Sequence, residues 1–262
     1  MKEILELNLK KLRLSGMMET IDVRLQEARA CQLDHADFLE LILQDELAVR
    51  QNRTIARGIK TAAFTVPKTL DQFEWNFNPE INRKQFYELA TGEFIKQARD
   101  VLMIGPPGTG KTHLATALGY QAIKMNFTVF YCSIFDLVRD LLQDENLAGS
   151  SKNDRKYLKP DLLIIDDMGI KQLPKSSGEY LFEVIMRRHE LRSTIMTSNR
   201  PIEEWGKLIG DVPTAGAILD RFLQHAEIIP FKGKSYRLKE RVKTNSDLKN
   251  NLSEVNYNSG PF

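Results

Sequence analysis

The most constraining feature of this chain is the glycine-rich stretch GPPGTGKT at residues 105–112, which fits the pattern G-x-x-x-x-G-K-[S/T]. The apolar run VLMI precedes it and an amphipathic segment follows it, so the pattern predicts a strand, a phosphate-binding loop and a helix. Glycines let backbone N–H groups turn toward phosphate oxygens, and the start of a helix adds a dipole that favours an anion. A chance glycine turn is the alternative, and the full match in this context argues against it.

Within this loop the side chains have separate expected tasks. Lys111 would place its ammonium group on the β and γ phosphates of a nucleotide, and the Thr112 hydroxyl would bind Mg²⁺. ATP and Mg²⁺ are therefore the predicted ligands. The predicted nucleotide-binding residues are Gly105, Pro106, Pro107, Gly108, Thr109, Gly110, Lys111, Thr112 and His113.

Five short apolar runs alternate with longer segments of amphipathic character in the second part of the chain. Four of them are continuously apolar and rich in Val, Ile or Phe, as expected for strands buried on both faces. Strands that alternate with helices predict an α/β fold with a parallel sheet between helices. The predicted strands are Asp100–Ile104, Thr128–Ser133, Asp161–Asp166, Ser193–Ser198 and Glu227–Phe231.

The first 62 residues have a different character, because they lack proline and their apolar residues recur at helical spacing. They predict an all-helical N-terminal domain, 1–62, of three or four helices. A connector, 63–80, carries two prolines and the aromatic string Phe73, Trp75 and Phe77, and a predicted helix from Ile81 to Gly92 opens the nucleotide-binding domain, 81–243. The tail, 244–262, is rich in Asn and Ser and poor in apolar residues, which predicts disorder.

Polar residues follow two of the predicted strands at the edge where ligands bind in open α/β sheets. Asp166 and Asp167 end the third run, and Asn199 follows the fourth. Asp166 should hold Mg²⁺ together with Thr112, and Asp167 should orient or deprotonate the attacking water. Asn199 should hydrogen-bond the γ-phosphate or that water. The alternatives are turn-forming carboxylates and a turn-forming Asn before proline.

Composition excludes several classes of protein. The 262 residues include only two cysteines, Cys31 and Cys132, which are far apart, so a disulfide scaffold and a cysteine-based zinc site are excluded. No apolar run approaches the ~18 residues of a membrane helix, and the N-terminus mixes charges with its apolar positions. We therefore expect no membrane partner and a cytoplasmic location.

The three motifs, with an extra strand between the first two, resemble the AAA+ ATPases. The segments GPPGTGKTHLA, LLIIDDMG and TSNRP are similar to the DnaC/IstB group. The segment FIKQARDVLMIGPPGTGKTHLATALG, with the helical N-terminal region, resembles the IstB proteins, which are ATPase helpers of insertion-sequence transposases. This resemblance covers about residues 1–243 and implies a five-stranded AAA+ core that hydrolyses ATP.

The resemblance also implies an arginine finger on the helix before the fifth strand, reaching the γ-phosphate of a neighbouring subunit. Arg221 is the candidate, and a salt bridge to Asp220 or Glu227 is the alternative. Two departures from the family pattern matter. Asp167 stands where most AAA+ proteins have Glu, which implies slow, switch-like turnover. The helical lid is absent or minimal, so Arg237 is a candidate replacement for its sensor, and subunits should complete one another's sites.

Nucleic-acid contacts are predicted on three basic clusters, although the net charge is only +2. None resembles a base-reading motif, so we expect phosphate contacts that are largely independent of sequence. A solvated helix face is the alternative for the first cluster. Phe73, Trp75 and Phe77 of the connector could stack on bases, or could pack at the domain junction or against the adenine. The predicted contacts are Arg50, Arg53, Arg57 and Lys60; Arg187 and Arg188, with Arg192 nearby; and Lys232, Lys234, Arg237 and Lys239, with Arg241 and Lys243 beyond them.

These expectations converge on an ATP-dependent AAA+ ATPase that oligomerises with itself on duplex DNA and assists a transposase. The nearest alternative is a loader of a replicative helicase, with the same ATPase core and single-stranded DNA as its ligand. A small-molecule kinase and a non-hydrolysing nucleotide-binding adaptor fit the motifs less well.

Overall fold

The computed structural model describes residues 3–145, 151–168, 173–174, 177–209 and 212–239. The predicted disordered tail, 244–262, and the basic residues Arg241 and Lys243 lie outside these residues. The chain divides into two compact units, Met1–Lys60 and Thr61–Phe262. Each unit is described separately below.

The first unit is built from three helices: α1 (Glu3–Lys11), α2 (Ser15–Cys31) and α3 (His35–Ala62), the last of which continues two residues into the second unit. Residues at helical spacing meet in a small apolar core of Leu9, Met17, Ile21 and Ile42. Arg50, Arg53, Arg57 and Lys60 all lie on α3, so the predicted helix through this basic cluster is confirmed.

A buried carboxylate joins two helices of the first unit. Glu46 on α3 accepts hydrogen bonds from the backbone N–H groups of Gly16 (2.6 Å) and Met17 (3.2 Å), which begin α2. Its other oxygen accepts one from Nε of Arg50 at 2.7 Å. The first-turn N–H groups of a helix lack partners inside the helix, so Glu46 satisfies groups that α2 cannot satisfy itself.

The second unit contains a five-stranded, entirely parallel sheet with the order β2-β3-β4-β1-β5. The continuous apolar runs become the central strands because both faces of the sheet are covered. This confirms the predicted α/β fold class. The strands are β1 (Asp100–Ile104), β2 (Val129–Ser133), β3 (Leu162–Met168), β4 (Ser193–Ser198) and β5 (Ala226–Pro230).

Alternate residues of each strand point to opposite faces of the sheet. The helices of this unit are α4 (Arg83–Leu89), α5 (Glu93–Lys96), α6 (Lys111–Lys124), α7 (Ile134–Glu145), α8 (Ser151–Leu158), α9 (Ser177–Arg188), α10 (Trp205–Ile209) and α11 (Val212–Gln224). Leu102, Leu163 and Met196 of the sheet belong to one apolar core with residues of α7, α8, α9 and α11. On α6, the ideal Cβ position of Gly119 lies 2.7 Å from Cδ1 of Ile164.

Several boundaries differ from the sequence prediction, and β2 and β5 differ by only one residue at one or both ends. The helix expected from Ile81 to Gly92 is the shorter α4, Arg83–Leu89, and Gly92, in a left-handed conformation (φ 74°), precedes a separate helix, α5. β3 continues past Asp166 to Met168, with a register irregularity against β4 and φ of 65° at Asp167. Among the described helices, none combines the length and apolar character needed to cross a bilayer.

Candidate functional site

The predicted catalytic motifs meet at one edge of the sheet. In the strand order β3-β4-β1, the acidic pair ends β3, Asn199 follows β4, and the glycine-rich loop follows β1. Ser198 pairs with Ile104 on one side and Met168 on the other, so the three strand ends are level. Parallel strands direct their carboxyl ends to the same edge, and the fold therefore brings these residues together.

The glycine-rich loop curls around its own lysine. The ammonium of Lys111 donates hydrogen bonds to the carbonyl oxygens of Gly105 (2.6 Å) and Pro106 (2.7 Å). Burial lowers the pKa of Lys111 to about 8, against an opposing contribution from Asp166. Gly108 has a φ of 79°, and a Cβ there would overlap Oγ of Ser235. Lys111 is thus held inside the loop by hydrogen bonds to two carbonyl oxygens. Phosphate oxygens can replace these carbonyl oxygens as acceptors.

Asp166 is the best-connected carboxylate of the site. The hydroxyls of Thr112 (3.1 Å) and Thr197 donate to its Oδ1, and the Tyr131 hydroxyl donates to Oδ2 at 2.7 Å. Asp166 is only 1% exposed, so these bonds replace the water that the carboxylate lost. The sequence analysis named Thr112 and missed Thr197 and Tyr131. Thr197 precedes Asn199 in a recognisable motif, whereas Tyr131 carries no signal in a single sequence.

Asp167 is half-buried beside Asp166. Burial is the main cause of its raised pKa, and the neighbouring Asp166 raises the pKa further; Arg237 and Lys111 oppose both effects. Its backbone N–H donates to Oγ1 of Thr197 at 3.2 Å, which fixes the left-handed turn. A carboxylate with a raised pKa is a better proton acceptor than an ordinary Asp, as a general base requires.

Asn199 and His113 border this arrangement. The backbone N–H of Asn199 donates to the Met168 carbonyl at 3.0 Å, so the turn after β4 is tied to the end of β3. His113 Nε2 lies 2.9 Å from the carbonyl oxygen of Thr69, and its ring stands edge-on to Phe73, with 5.2 Å between ring centroids. Both residues are half-buried at the site.

The segment after β5 closes against the glycine-rich loop. The backbone N–H of Tyr236 donates to the Gly108 carbonyl at 2.9 Å. The buried side chain of Asn78 accepts from the N–H of Lys234 (3.1 Å) and donates to the carbonyls of Lys234 (3.2 Å) and Thr109 (3.5 Å). Asn78, which the sequence analysis missed, therefore joins the connector, the loop and this segment.

Arg237 and Arg221 differ in their relation to the loop. Lys111 feels the charges of Asp166, Arg237 and Asp167, and Arg221 is not among them. Arg221 is exposed on α11 and has no hydrogen bond or ion pair with any residue that the structure describes. Glu227, one of its alternative partners, instead accepts a hydrogen bond from Gln85 at 2.6 Å. Arg237 thus lies at its own loop, and Arg221 presents its charge outward.

One predicted DNA contact is wrong. Arg188 is 1% exposed, and its guanidinium donates to the carbonyl oxygens of Tyr157 (2.9 Å), Pro160 (2.9 Å) and Ser193. A group enclosed in this way cannot reach a phosphate. Helical spacing did not reveal its orientation, since Arg187 beside it is exposed and pairs with Glu183 at 3.4 Å.

The other basic residues remain exposed or partly exposed, and several have acidic neighbours. Arg50 pairs with Glu46 at 2.7 Å, and Lys239 with Glu74 at 2.6 Å. Arg53 donates to Oγ of Ser15 at 2.6 Å. Arg57, Lys60, Lys232 and Lys234 are exposed. DNA contact by these residues stays a prediction.

The aromatic residues of the connector pack on one another within the second unit. The ring centroids of Phe73 and Trp75 lie 4.7 Å apart, and Phe73 also lies beside His113. Phe77 stands edge-on to Tyr236, with 5.2 Å between ring centroids. Phe73, Trp75 and Phe77 are all half-buried. This packing within the second unit argues against stacking on bases, and packing at the domain junction or against the adenine stays a prediction.

Comparison with known proteins identifies the family. The sequence pattern of the IstB-like ATP binding proteins matches residues 7–244. The ATP-binding protein of insertion sequence IS5376 from Geobacillus stearothermophilus is 37% identical over 92% of this chain and 96% of its own length. The chain belongs to the IstB-like ATP-binding family. A second relative, the ATP-binding protein of IS21 from Pseudomonas aeruginosa, is 35% identical over 94% of this chain and 93% of its own.

Solved structures place this IstB-like chain in the AAA+ fold. The DnaC helicase loader has a TM-score of 0.51 and 21% identity, and the match covers 67% of this chain and 99% of that one. DnaA from Aquifex aeolicus, bound to AMPPCP, has a TM-score of 0.51 and 22% identity over 68% of this chain and 55% of its own. At this identity the likeness concerns the fold alone. The predicted AAA+ core and the IstB-like resemblance are both confirmed.

The donor set of this IstB-like site fits Mg²⁺. Thr112 and Asp166 contribute a hydroxyl and a carboxylate oxygen only 3.1 Å apart at the mouth of the loop. Mg²⁺ prefers hard oxygen ligands and keeps several positions for water and phosphate oxygens, so two protein groups suffice. The hydrogen bond between them holds the two oxygens next to each other.

Proposed function

We propose that this chain is a Mg²⁺-dependent ATPase that oligomerises on duplex DNA and assists the transposase of an insertion sequence. The observation that supports it best is the convergence of Lys111, Thr112, the Asp166–Asp167 pair and Asn199 at one edge of the sheet. The names of the relatives, which are ATP-binding proteins of insertion sequences, support the biological setting.

Binding of the triphosphate begins with an exchange at Lys111. Its ammonium leaves the carbonyl oxygens of Gly105 and Pro106 and contacts phosphate oxygens, which are better acceptors because they carry charge. The loop N–H groups and the first turn of α6 bind the same phosphates. Thr112 and Asp166 would hold Mg²⁺, which neutralises charge on the phosphate oxygens.

The hydrolytic step relies on Asp167. This carboxylate accepts the proton of the attacking water or orients that water, while Asn199 holds it between the acid pair and the loop. The raised pKa of Asp167 assists proton acceptance. Its side chain is one methylene shorter than the usual Glu, so it reaches the water less directly and turnover is slow. Slow turnover suits a switch whose ATP-bound and ADP-bound states bind partners differently.

The site is completed in an oligomer. Arg221 is exposed on α11 and has no ion pair within the part of the chain that the structure describes. In a head-to-tail assembly it would reach the γ-phosphate bound by the neighbouring subunit and stabilise the charge of the transition state. ATP then holds adjacent subunits together, and hydrolysis weakens that contact.

Duplex DNA would be bound through phosphates by basic residues of α3 and of the segment after β5. Arg57 and Lys60 are exposed on the same helix, one turn apart. Phosphate contacts give affinity that falls steeply with salt and depends little on sequence. The ATP-bound oligomer would present this DNA to the transposase.

A duplex-binding titration at several salt concentrations, with and without ATP, tests the proposal. Wild-type affinity should rise with ATP, and Lys111→Ala should remove that rise. The double variant Arg57→Ala/Lys60→Ala should reduce the salt slope by about one per lost contact. Lys84→Ala/Lys96→Ala, which removes two exposed lysines outside the basic clusters, is the matched control.

A duplex-DNA affinity that changes neither with nucleotide nor with Lys111→Ala would exclude an ATP-dependent switch. A strong preference for single-stranded over duplex DNA in competition would instead favour the helicase-loader function.

A further inference from the structure

Tyr131 lies on β2, outside all of the sequence motifs. It contacts Asp166, the carboxylate that is proposed to bind the metal. Its hydroxyl donates to Oδ2 of Asp166 at 2.7 Å, while the hydroxyls of Thr112 and Thr197 both donate to Oδ1. Among the hydrogen bonds of the described residues, this one alone fixes Oδ2. A carboxylate bound at both oxygens cannot rotate about its Cβ–Cγ bond without breaking a hydrogen bond.

Tyr131 is itself held by the start of the connector. The Phe64 ring stands edge-on to the tyrosine ring, with 6.2 Å between centroids. Phe64 comes two residues after the end of α3 at Ala62. The position of Tyr131 thus depends on a segment that is remote in sequence from every nucleotide-binding motif.

Phe64 has a prepared place on α6, the helix that begins at Lys111. A Cβ at Gly119 would lie 3.0 Å from Cζ of Phe64, which is tighter than ordinary van der Waals contact. The missing side chain at Gly119 lets the phenyl ring approach the helix. Phe64 therefore contacts both α6 and the ring of Tyr131.

We infer that Tyr131 is a positioning residue, which holds Asp166 in the orientation that binds Mg²⁺ and is kept in place by Phe64. This inference rests on the proposed Mg²⁺-dependent function. Partners of a metal ligand outside the coordination shell orient that ligand, and their loss costs about 10- to 100-fold in metal affinity. Tyr131 makes no direct contact with nucleotide in this role, so nucleotide affinity without metal should not depend on it.

The test is a titration of Mg²⁺ against the binding of a fluorescent ATP analogue, followed by fluorescence rather than by turnover. Tyr131→Phe removes the hydroxyl and keeps the ring. We expect it to raise the Mg²⁺ concentration for half-maximal effect about tenfold, with analogue binding in EDTA unchanged. Phe64→Leu, which leaves Tyr131 intact but removes its aromatic neighbour, should shift the requirement in the same direction by a smaller factor.

Tyr120→Phe on α6 is the matched control, because Tyr120 packs against Lys124 and touches no residue of the acidic pair. Thermal melting of each variant shows whether it is folded. A folded Tyr131→Phe protein with an unchanged or lowered Mg²⁺ requirement would overturn the inference and leave the proposed function standing. A wild-type protein whose analogue binding ignores Mg²⁺ would overturn the proposed function itself, and the inference with it.

Discussion

At the scale of single residues, Lys111 shows how burial and charge oppose each other. It is 5% exposed, and burial outweighs the attraction of Asp166, so its pKa falls from 10.5 to about 8. The ammonium persists at neutral pH because two carbonyl oxygens and two carboxylates surround it. Phosphate binding adds negative charge and raises this pKa again, which links nucleotide affinity to proton uptake.

This linkage predicts that nucleotide affinity falls as pH rises above about 8. Below that pH free Lys111 is already protonated, so affinity changes little; above it, binding must take up a proton and weakens by up to about tenfold per pH unit. Isothermal titration from about pH 7 to about pH 10 measures the slope. An arginine stays charged over this pH range, so the nucleotide affinity of Lys111→Arg should not fall with pH in this way. A flat wild-type profile would show that the lysine is not buried as described.

At the scale of elements, α9 places two consecutive arginines in opposite environments. Arg188 ties the end of its helix to carbonyl groups near the starts of β3 and β4, whereas Arg187 faces solvent. The difference follows from the 100° rotation per residue of a helix packed on a sheet. The two arginines look alike in the sequence, but Arg188 has a structural role whereas Arg187 stays exposed.

Arg188→Ala should lower the free energy of unfolding by about 3 kcal/mol or more, because it leaves buried carbonyl groups without donors. Arg187→Ala removes a solvent-exposed side chain that pairs with Glu183 and should cost clearly less, about 1 kcal/mol or below. Urea unfolding of both variants measures the contrast. Equal effects would contradict the opposite environments of the two side chains.

The connector provides a second test at this scale. Asn78 is 4% exposed and satisfies backbone groups of both Lys234 and Thr109. Asn78→Ala should cost about 1–3 kcal/mol of stability and loosen the segment after β5 from the glycine-rich loop. Asn76→Ala, an exposed position of the same connector, is the control. Faster amide exchange at Tyr236 in the first variant alone would identify the loosened segment.

At the scale of the whole molecule, the nucleotide site is expected to need two copies of the chain. Lys111 and Arg221 then act at one site from different subunits, although both come from the same sequence. This arrangement gives a result that no monomeric enzyme can give, because two inactive variants can restore each other.

Lys111→Ala and Arg221→Ala should each abolish ATP hydrolysis, and an equal mixture should recover about a quarter of wild-type turnover, the share of interfaces that pair two intact residues at random. Phosphate release by the mixture over a range of concentrations measures this. No recovery, in variants that still assemble, would remove Arg221 from the neighbouring site.

The sequence determined the sheet and its site because both are local patterns. Continuous apolar runs specified the strands, and the motif at residues 105–112 specified strand, loop and helix together. Parallel strands bring their carboxyl ends to one edge, so Asp166 and Asn199 could be assigned to the site without coordinates.

Tertiary structure alone decided contacts between residues far apart in the chain. Tyr131 and Asn78 are ordinary polar residues on unremarkable segments, and only strand order and the path after β5 bring them to Asp166 and Thr109. Burial of Arg188 likewise depends on which side of α9 faces the sheet. Motif and periodicity record what a segment does locally, whereas such contacts arise from packing between segments, which no single stretch of sequence encodes.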